Sequence, residues 1–200
     1  MLKVGLTGGL ACGKSTVADV LREEGCEVLD ADRLGHLAIE PGGPAYQPVV
    51  DAFGSDLLDA DGKIRRPLLA QRVFQQPEQL ARLNALVHPA IMALVEERCR
   101  DFRKRHPRGI LIIDAALIFE AKVETRFDKI VVVDCDPEQQ VARFVGKGLG
   151  SEDEARRRIA AQLPREQKLS RADFVLDSSG SLEETRRRAR ELFQTLSKHV

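Results

Sequence analysis

The chain has 200 residues, 43% of them hydrophobic, with 31 Lys plus Arg set against 31 Asp plus Glu and no Trp. That length suits one generous domain, or a core with a smaller appendage, which buries roughly 70% of the surface its unfolded chain exposes and needs no disulfide or structural metal. The composition excludes a disordered chain, and charges that cancel argue against a dedicated nucleic-acid binder, whose domain would be clearly basic.

In chain order, Leu2 to Thr7 reads as a short apolar strand that runs into glycines. From Lys14 the period becomes helical, with Val17, Val20 and Leu21 inside and Asp19, Arg22, Glu23 and Glu24 outside; Gly25 is placed to end that helix. Glu27 to Asp30 reads as a second strand, so the chain opens with a βαβ unit and a parallel sheet. Residues 41–67 are rich in Gly, Pro and Asp and read as an irregular excursion. Helices are predicted over Pro67 to Phe74 and Pro77 to Val87, each starting at a proline compatible with a first turn. His88-Pro89 interrupts, and a further helix runs over Ile91 to Lys104. Ile110 to Asp114 and Lys129 to Asp134 are compact apolar runs ending in Asp, in the manner of buried parallel strands. Pro137 to Val145 is a short helix, and Gly146, Gly148 and Gly150 mark a flexible segment. Ser151 with Glu154 and Ser181 with Glu184 have capping-box spacing, the second opening a closing helix that ends at Leu196 after a strand at Phe174 to Leu176. The expected architecture is α/β, a parallel sheet flanked by helices, with a helical insertion.

Cys12, Cys26, Cys99 and Cys135 are far apart and form no C-x-x-C pair, which argues against a zinc site and for a reducing compartment. The opening apolar run is too short for a signal peptide. The apolar runs at 109–113 and 115–119 fall far short of about 20 membrane-spanning residues. The expectation is a soluble cytoplasmic protein with no membrane or nucleic-acid partner, a monomer or a weak homo-oligomer.

The strongest motif is Gly8-Gly9-Leu10-Ala11-Cys12-Gly13-Lys14-Ser15, followed by Thr16, which matches the phosphate-loop pattern G-x-x-x-x-G-K-[ST]. Binding a phosphate needs backbone N–H groups that converge, with side chains kept out of the way, and the helix N-terminus adds its dipole. Gly9, Ala11, Cys12, Gly13, Lys14, Ser15 and Thr16 are therefore the expected nucleotide-binding residues, with Lys14 reaching the β- and γ-phosphates and the Ser15 hydroxyl ligating Mg²⁺. The motif sits between an apolar strand and an amphipathic helix, its confirming context, and specifies a P-loop NTPase fold for a nucleotide triphosphate. Cys12 reads as a small loop filler, or as a thiol whose pKa the helix terminus lowers.

Asp30 and Asp32 close the second strand, where parallel sheets bind ligands; in extended backbone they share a side and face the γ-phosphate, so that one engages an attacking hydroxyl. Asp32 lies further out and is the favoured catalytic carboxylate, the alternative being a helix cap. Asp114 ends its apolar strand as a Walker-B Asp that binds Mg²⁺, or as a turn residue, while Asp134 reads as a turn residue before Asp136-Pro137. Arg143, with Lys147 and Arg165 beyond it, supplies cations for a mobile lid; Arg156 to Arg158 and Arg186 to Arg188 are solvated helix faces. His88 either closes a helix before Pro89 or faces the acceptor.

Taken together, Gly5-Leu6-Thr7-Gly8-Gly9 with Gly13 to Ala18, Asp30-Ala31-Asp32, Ala52-Phe53-Gly54, Asp61-Gly62 with Arg66, Val73-Phe74, Leu86 to Ile91, Leu117 to Glu120, Gln140 to Arg143, Ile159 to Gln162 and Ala172 to Val175 resemble the bacterial dephospho-coenzyme A kinases over nearly the whole length. The resemblance implies ATP-dependent phosphorylation of the ribose 3′-hydroxyl of dephospho-coenzyme A, with Mg²⁺. It makes Asp32 the base or orienting carboxylate and Arg143 a lid residue. It further implies a nucleotide-binding core of 1–40 and 107–200, a lid at about 143–168, and an acceptor-binding insertion of 41–106 with Arg66 and His88 beside Asp32 on the acceptor. The chain departs from the family in three places: Cys12 replaces the usual Ser, Ala115-Ala116 stand where a proline is usual, and Lys147 replaces the Arg of a frequent Arg-Asp pair. Two rivals are a nucleoside monophosphate or small-molecule kinase, and a nucleotide-gated switch. The switch is disfavoured because Asp51 to Gly54 and Asp59 to Gly62 match D-x-x-G without following an apolar strand, and N-K-x-D is missing.

Overall fold

The computed structural model describes residues 1–74 and 76–200. It divides into two compact units, Met1–Asp30 with Phe102–Val200, and Ala31–Asp101.

In the first unit, five strands form one parallel sheet in the order β2-β3-β1-β4-β5. They are β1 (Leu2–Gly8), β2 (Glu27–Asp30), β3 (Ile110–Asp114), β4 (Lys129–Asp134) and β5 (Phe174–Asp177). β1 is buried at every position, as a central strand covered on both faces must be. Leu6 lies opposite Asp114 on one side and Gly8 opposite Val133 on the other. The loop after β1 thus leaves at the topological switch point, where open α/β sheets bind ligands. α1 (Lys14–Glu23) turns Val17, Val20 and Leu21 onto the sheet, and α9 (Leu182–Leu196) adds Ala189, Leu192 and Leu196 to the same core. Ser181 forms a complete capping box with Glu184 at its start. α6 (Pro137–Gly146), α7 (Glu152–Ala160) and α8 (Arg165–Ser170) join β4 to β5. Ser151 accepts the Glu154 N–H at the start of α7. Val141, Phe144 and Ala155 bury a small cluster against Leu10, Ala11 and Ile159.

The second unit is helical and contains α2 (Ala31–Ala38), α3 (Tyr46–Phe53), α4 (Arg66–Phe74) and most of α5 (Pro77–Arg105). The supposed irregular stretch holds α3 and a 3₁₀ turn at Ser55–Leu57, because Val49, Phe53 and Leu57 recur every four residues and bury together. The expected break at His88-Pro89 is absent, and α5 runs through Pro89. A proline removes one ladder hydrogen bond, but Leu86, Val87, Ala90, Ile91 and Leu94 on both sides of it pack into one apolar cluster that holds the helix continuous. Among the described residues, no helix is long and apolar enough to cross a membrane.

Candidate phosphate-binding site

The site is assembled from a loop that backbone conformation dictates. Gly8 and Gly9 leave β1 where side chains have no room: a Cβ on Gly8 would lie 2.4 Å from the Val133 carbonyl oxygen, and one on Gly9 2.7 Å from the Gln140 amide. Gly13 has φ 84°, a left-handed value that glycine adopts without a Cβ penalty, and it opens α1 with its free N–H groups. Ala11 holds φ 53°, a rare conformation for a residue with a side chain. Cys12 is buried, whereas Ser15, in the first turn of α1, is exposed.

Lys14 pairs with Asp114, the two residues the sequence placed on the phosphate and on the metal. The pair joins the helix start to the end of β3, and both side chains are mostly shielded. Thr7 Oγ1 donates to the Ala116 carbonyl at 3.1 Å, and Ala115 N–H donates to the Leu6 carbonyl at 3.0 Å, so the turn at Ala115-Ala116 closes onto β1 without a proline.

On the other flank, Ser178 was missed by sequence reasoning. Its hydroxyl meets the Cys12 carbonyl at 2.6 Å and the Asp134 carbonyl at 2.9 Å, and its own carbonyl accepts Arg143 Nη2 at 2.7 Å. The only local signal is that Asp177-Ser178-Ser179-Gly180 follows the last strand at its carboxyl end. Asp177 anchors this turn: the Ser179 N–H, the Ser179 hydroxyl and then Arg188 hold its pKa down to about 2. Arg143 therefore stands beside the phosphate loop. With Lys147, Ala11, Gly13, Thr16, Ser178 and Gly180 it lines a cavity of about 260 Å³.

Arg165 is committed elsewhere. Its Nε and Nη2 grip the Asp134 carboxylate at 2.8 and 2.5 Å, so Asp134 is an ion-pair partner rather than a bare turn residue. Lys168 is buried and pairs with Glu120 at 2.9 Å. Burial pushes the Glu120 pKa up, but the Leu163 N–H and Lys168 outweigh it and the net shift is downward. The expected solvated cations are surface pairs: Arg156 with Glu138, Arg158 with Glu154, Arg186 with Glu23, Arg187 with Glu191 and Arg188 with Asp177.

The three remaining residues belong to the helical unit. The extended-backbone reasoning for Asp30 and Asp32 is overturned. The chain enters α2 at Ala31, so the two carboxylates do not follow strand alternation, and Asp32 is an exposed first-turn acid rather than an N-cap. Asp30 ends β2 opposite Asp114. Arg66 starts α4 and donates to Glu40 at 3.1 Å. His88 lies inside α5, not at a helix end, and surrounding atoms desolvate its ring and lower its pKa.

The dephospho-CoA kinase family model matches residues 2–184. A dephospho-CoA kinase of Corynebacterium glutamicum is 42% identical over 202 residues, covering 100% of both chains. A crystal structure from Thermus thermophilus is similar with TM-score 0.80 and 32% identity, covering 98% of this chain and 97% of that one. The dephospho-CoA kinase of Campylobacter jejuni has the same fold at TM-score 0.75 and 24% identity, with 98% of each chain covered. With a phosphate loop on the central strand, a Lys14–Asp114 pair behind it and a family match over almost every residue, the chain belongs to the dephospho-CoA kinase family.

Proposed function

We propose that this kinase transfers the γ-phosphoryl group of ATP to the ribose 3′-hydroxyl of dephospho-coenzyme A, giving coenzyme A. The observation that carries the reading is the family match over residues 2–184, and the phosphate loop supports it with the donors a triphosphate needs. Gly9 to Thr16 present backbone N–H groups to the phosphates, Lys14 leaves Asp114 to follow the β- and γ-oxygens, and Arg143 spreads positive charge over the group in transit. Asp32 orients the attacking hydroxyl and takes its proton, with Arg66 and His88 holding the acceptor in the helical unit. Ser15 and Asp114 offer hard oxygen donors, a hydroxyl and a carboxylate, that suit Mg²⁺. When bound, that ion neutralises charge on the β- and γ-phosphates. Four free, buried cysteines agree with a reducing cytoplasmic setting.

The test is an acceptor-dependence assay that follows 3′-phosphorylated product, with dephospho-coenzyme A compared against shikimate and nucleoside monophosphates. Turnover that requires dephospho-coenzyme A supports the reading. ATP hydrolysis indifferent to any acceptor, or preferential use of a nucleoside monophosphate, overturns it.

A further inference from the structure

The proposed phosphoryl-transfer chemistry leaves one buried nucleophilic pair unused. Cys12, inside the phosphate loop, and Cys135, the residue after β4, are 1% and 0% exposed. Both are free thiols, and Cys135 Sγ donates to Cys12 Sγ at 3.3 Å. We propose that Cys12 and Cys135 form an oxidative modification site, in which a small hydroperoxide converts the pair to a disulfide and draws the phosphate loop out of its triphosphate-binding shape.

The chemistry follows from the surroundings of each sulfur. The two sulfurs touch and each alters the titration of the other, while the charges of Arg143 and Asp134 act with opposite signs, so the chemistry belongs to the pair. One thiol of the pair, as its thiolate, attacks, and the other resolves. The attacking sulfur, having lost its proton, bonds to one peroxide oxygen, the O–O bond breaks, and the departing hydroxide takes up that proton as water, leaving a sulfenic acid. The second sulfur then attacks the first, the S–O bond breaks, and the departing hydroxide takes the second thiol's proton as water. The sum is two thiols and hydrogen peroxide giving a disulfide and two waters. Burial of both sulfurs selects a water-sized oxidant over a bulky disulfide such as oxidised glutathione.

The bond has a mechanical consequence. Disulfide sulfurs sit about 2.05 Å apart, so this pair must close by roughly 1.3 Å, while a ligand-binding constellation tolerates displacements of only about 0.5 Å. Cys12 is tied on both sides, its N–H to the Gly9 carbonyl at 3.3 Å and its carbonyl to Ser178. A pull on its sulfur therefore moves the amides that face the phosphates. Linkage runs both ways: a nucleotide that requires the reduced loop opposes disulfide formation by the same factor.

This proposal rests on the triphosphate-binding reading of the loop, and the experiment separates the two. Full-length reduced protein is titrated with ATP, then treated with hydrogen peroxide or oxidised glutathione, with and without saturating ATP. Cross-links are mapped by mass spectrometry without reduction. Expected are a Cys12–Cys135 cross-link with peroxide, at least ~10-fold weaker ATP binding that dithiothreitol restores, and a cross-linking rate lowered at least ~10-fold by ATP. Cys135→Ser keeps its ATP affinity through peroxide treatment. Reduced protein that binds ATP but forms no such cross-link, or cross-linked protein with undiminished ATP affinity, overturns the proposal alone. Reduced protein that does not bind ATP overturns the triphosphate reading and the switch with it. Faster cross-linking by oxidised glutathione than by peroxide overturns the oxidant class.

Discussion

The phosphate end of the sheet unit and the helical unit hold their polar groups in opposite ways. In the first, Lys14 pairs with Asp114, Arg143 and two carbonyls converge on Ser178, and Arg165 grips Asp134, so residues far apart in sequence fix one another. In the second, the buried interior is apolar, from Ala38 and Val49 to Phe53 and Leu57, while Asp32 is exposed, His88 is only partly covered and Arg66 pairs with Glu40 at the surface. A site made of backbone amides and interlocked side chains is paid for during folding. One made of exposed side chains must be ordered by its ligand, at about 0.5–1.5 kcal/mol per immobilised side chain. Removing one interlocked side chain at the phosphate end should therefore cost more than removing one exposed side chain of the helical unit.

The largest effect that would break this contrast is at Lys14. Lys14→Ala removes the proposed phosphate cation and leaves the Asp114 carboxylate partly shielded without it, so kcat should fall about 10³-fold in steady-state assays. A variant with near-normal turnover would mean that the phosphate end works by amides alone. Asp32→Asn in the helical unit should lower kcat about 10²-fold while leaving ATP affinity by calorimetry unchanged. Normal turnover would remove Asp32 from the chemistry.

Smaller changes sharpen the comparison. Ser178→Ala strips the hydroxyl from the Cys12 and Asp134 carbonyls but keeps the carbonyl that accepts Arg143. The melting temperature should record a loss of about 1 kcal/mol, with KM for ATP rising more than kcat falls. A rise in KM for the acceptor alone would show that Ser178 serves the other substrate.

The smallest effect concerns His88. Its folded pKa lies below the ordinary 6.5 because of desolvation, so the unfolded chain takes up a proton first as pH falls. The stability contributed by the neutral ring is complete above about pH 6.5 and is lost as pH drops through the folded value. The melting temperature of His88→Gln should decline less than that of the parent between about pH 7 and pH 5. Parallel curves would show that the ring contributes no such linkage.

The sheet was readable because its strands announce themselves locally. Ile110 to Asp114 and Lys129 to Asp134 are apolar runs ending in Asp, of the kind a strand buried on both faces requires, and the observed β3 and β4 have those bounds. Long-range cancellation was not readable. Nothing near Pro89 in sequence reveals that Leu86, Ala90 and Leu94 share a cluster that carries the helix through it. The residues near Asp30 leave open whether Asp32 continues the strand or caps a helix, and the helix begins at Ala31, one residue before it. Asp134 looked like a turn residue because its partner, Arg165, lies 31 positions away.

The sequence by itself determined the phosphate loop, the parallel βαβ frame that presents it, and the family. The loop and the frame rest on local spacing, with glycines before a lysine at the helix start and apolar runs of strand length, and the family rests on the resemblance of its motifs. Tertiary structure alone decided which charges meet. It set Lys14 on Asp114, turned Arg165 to Asp134, brought Ser178 to the loop, and laid Cys12 against Cys135 across 123 residues. Hydrogen bonds and sulfur contacts act over a few ångströms, so their partners are fixed by strand order, and equal numbers of positive and negative side chains say nothing of which will pair.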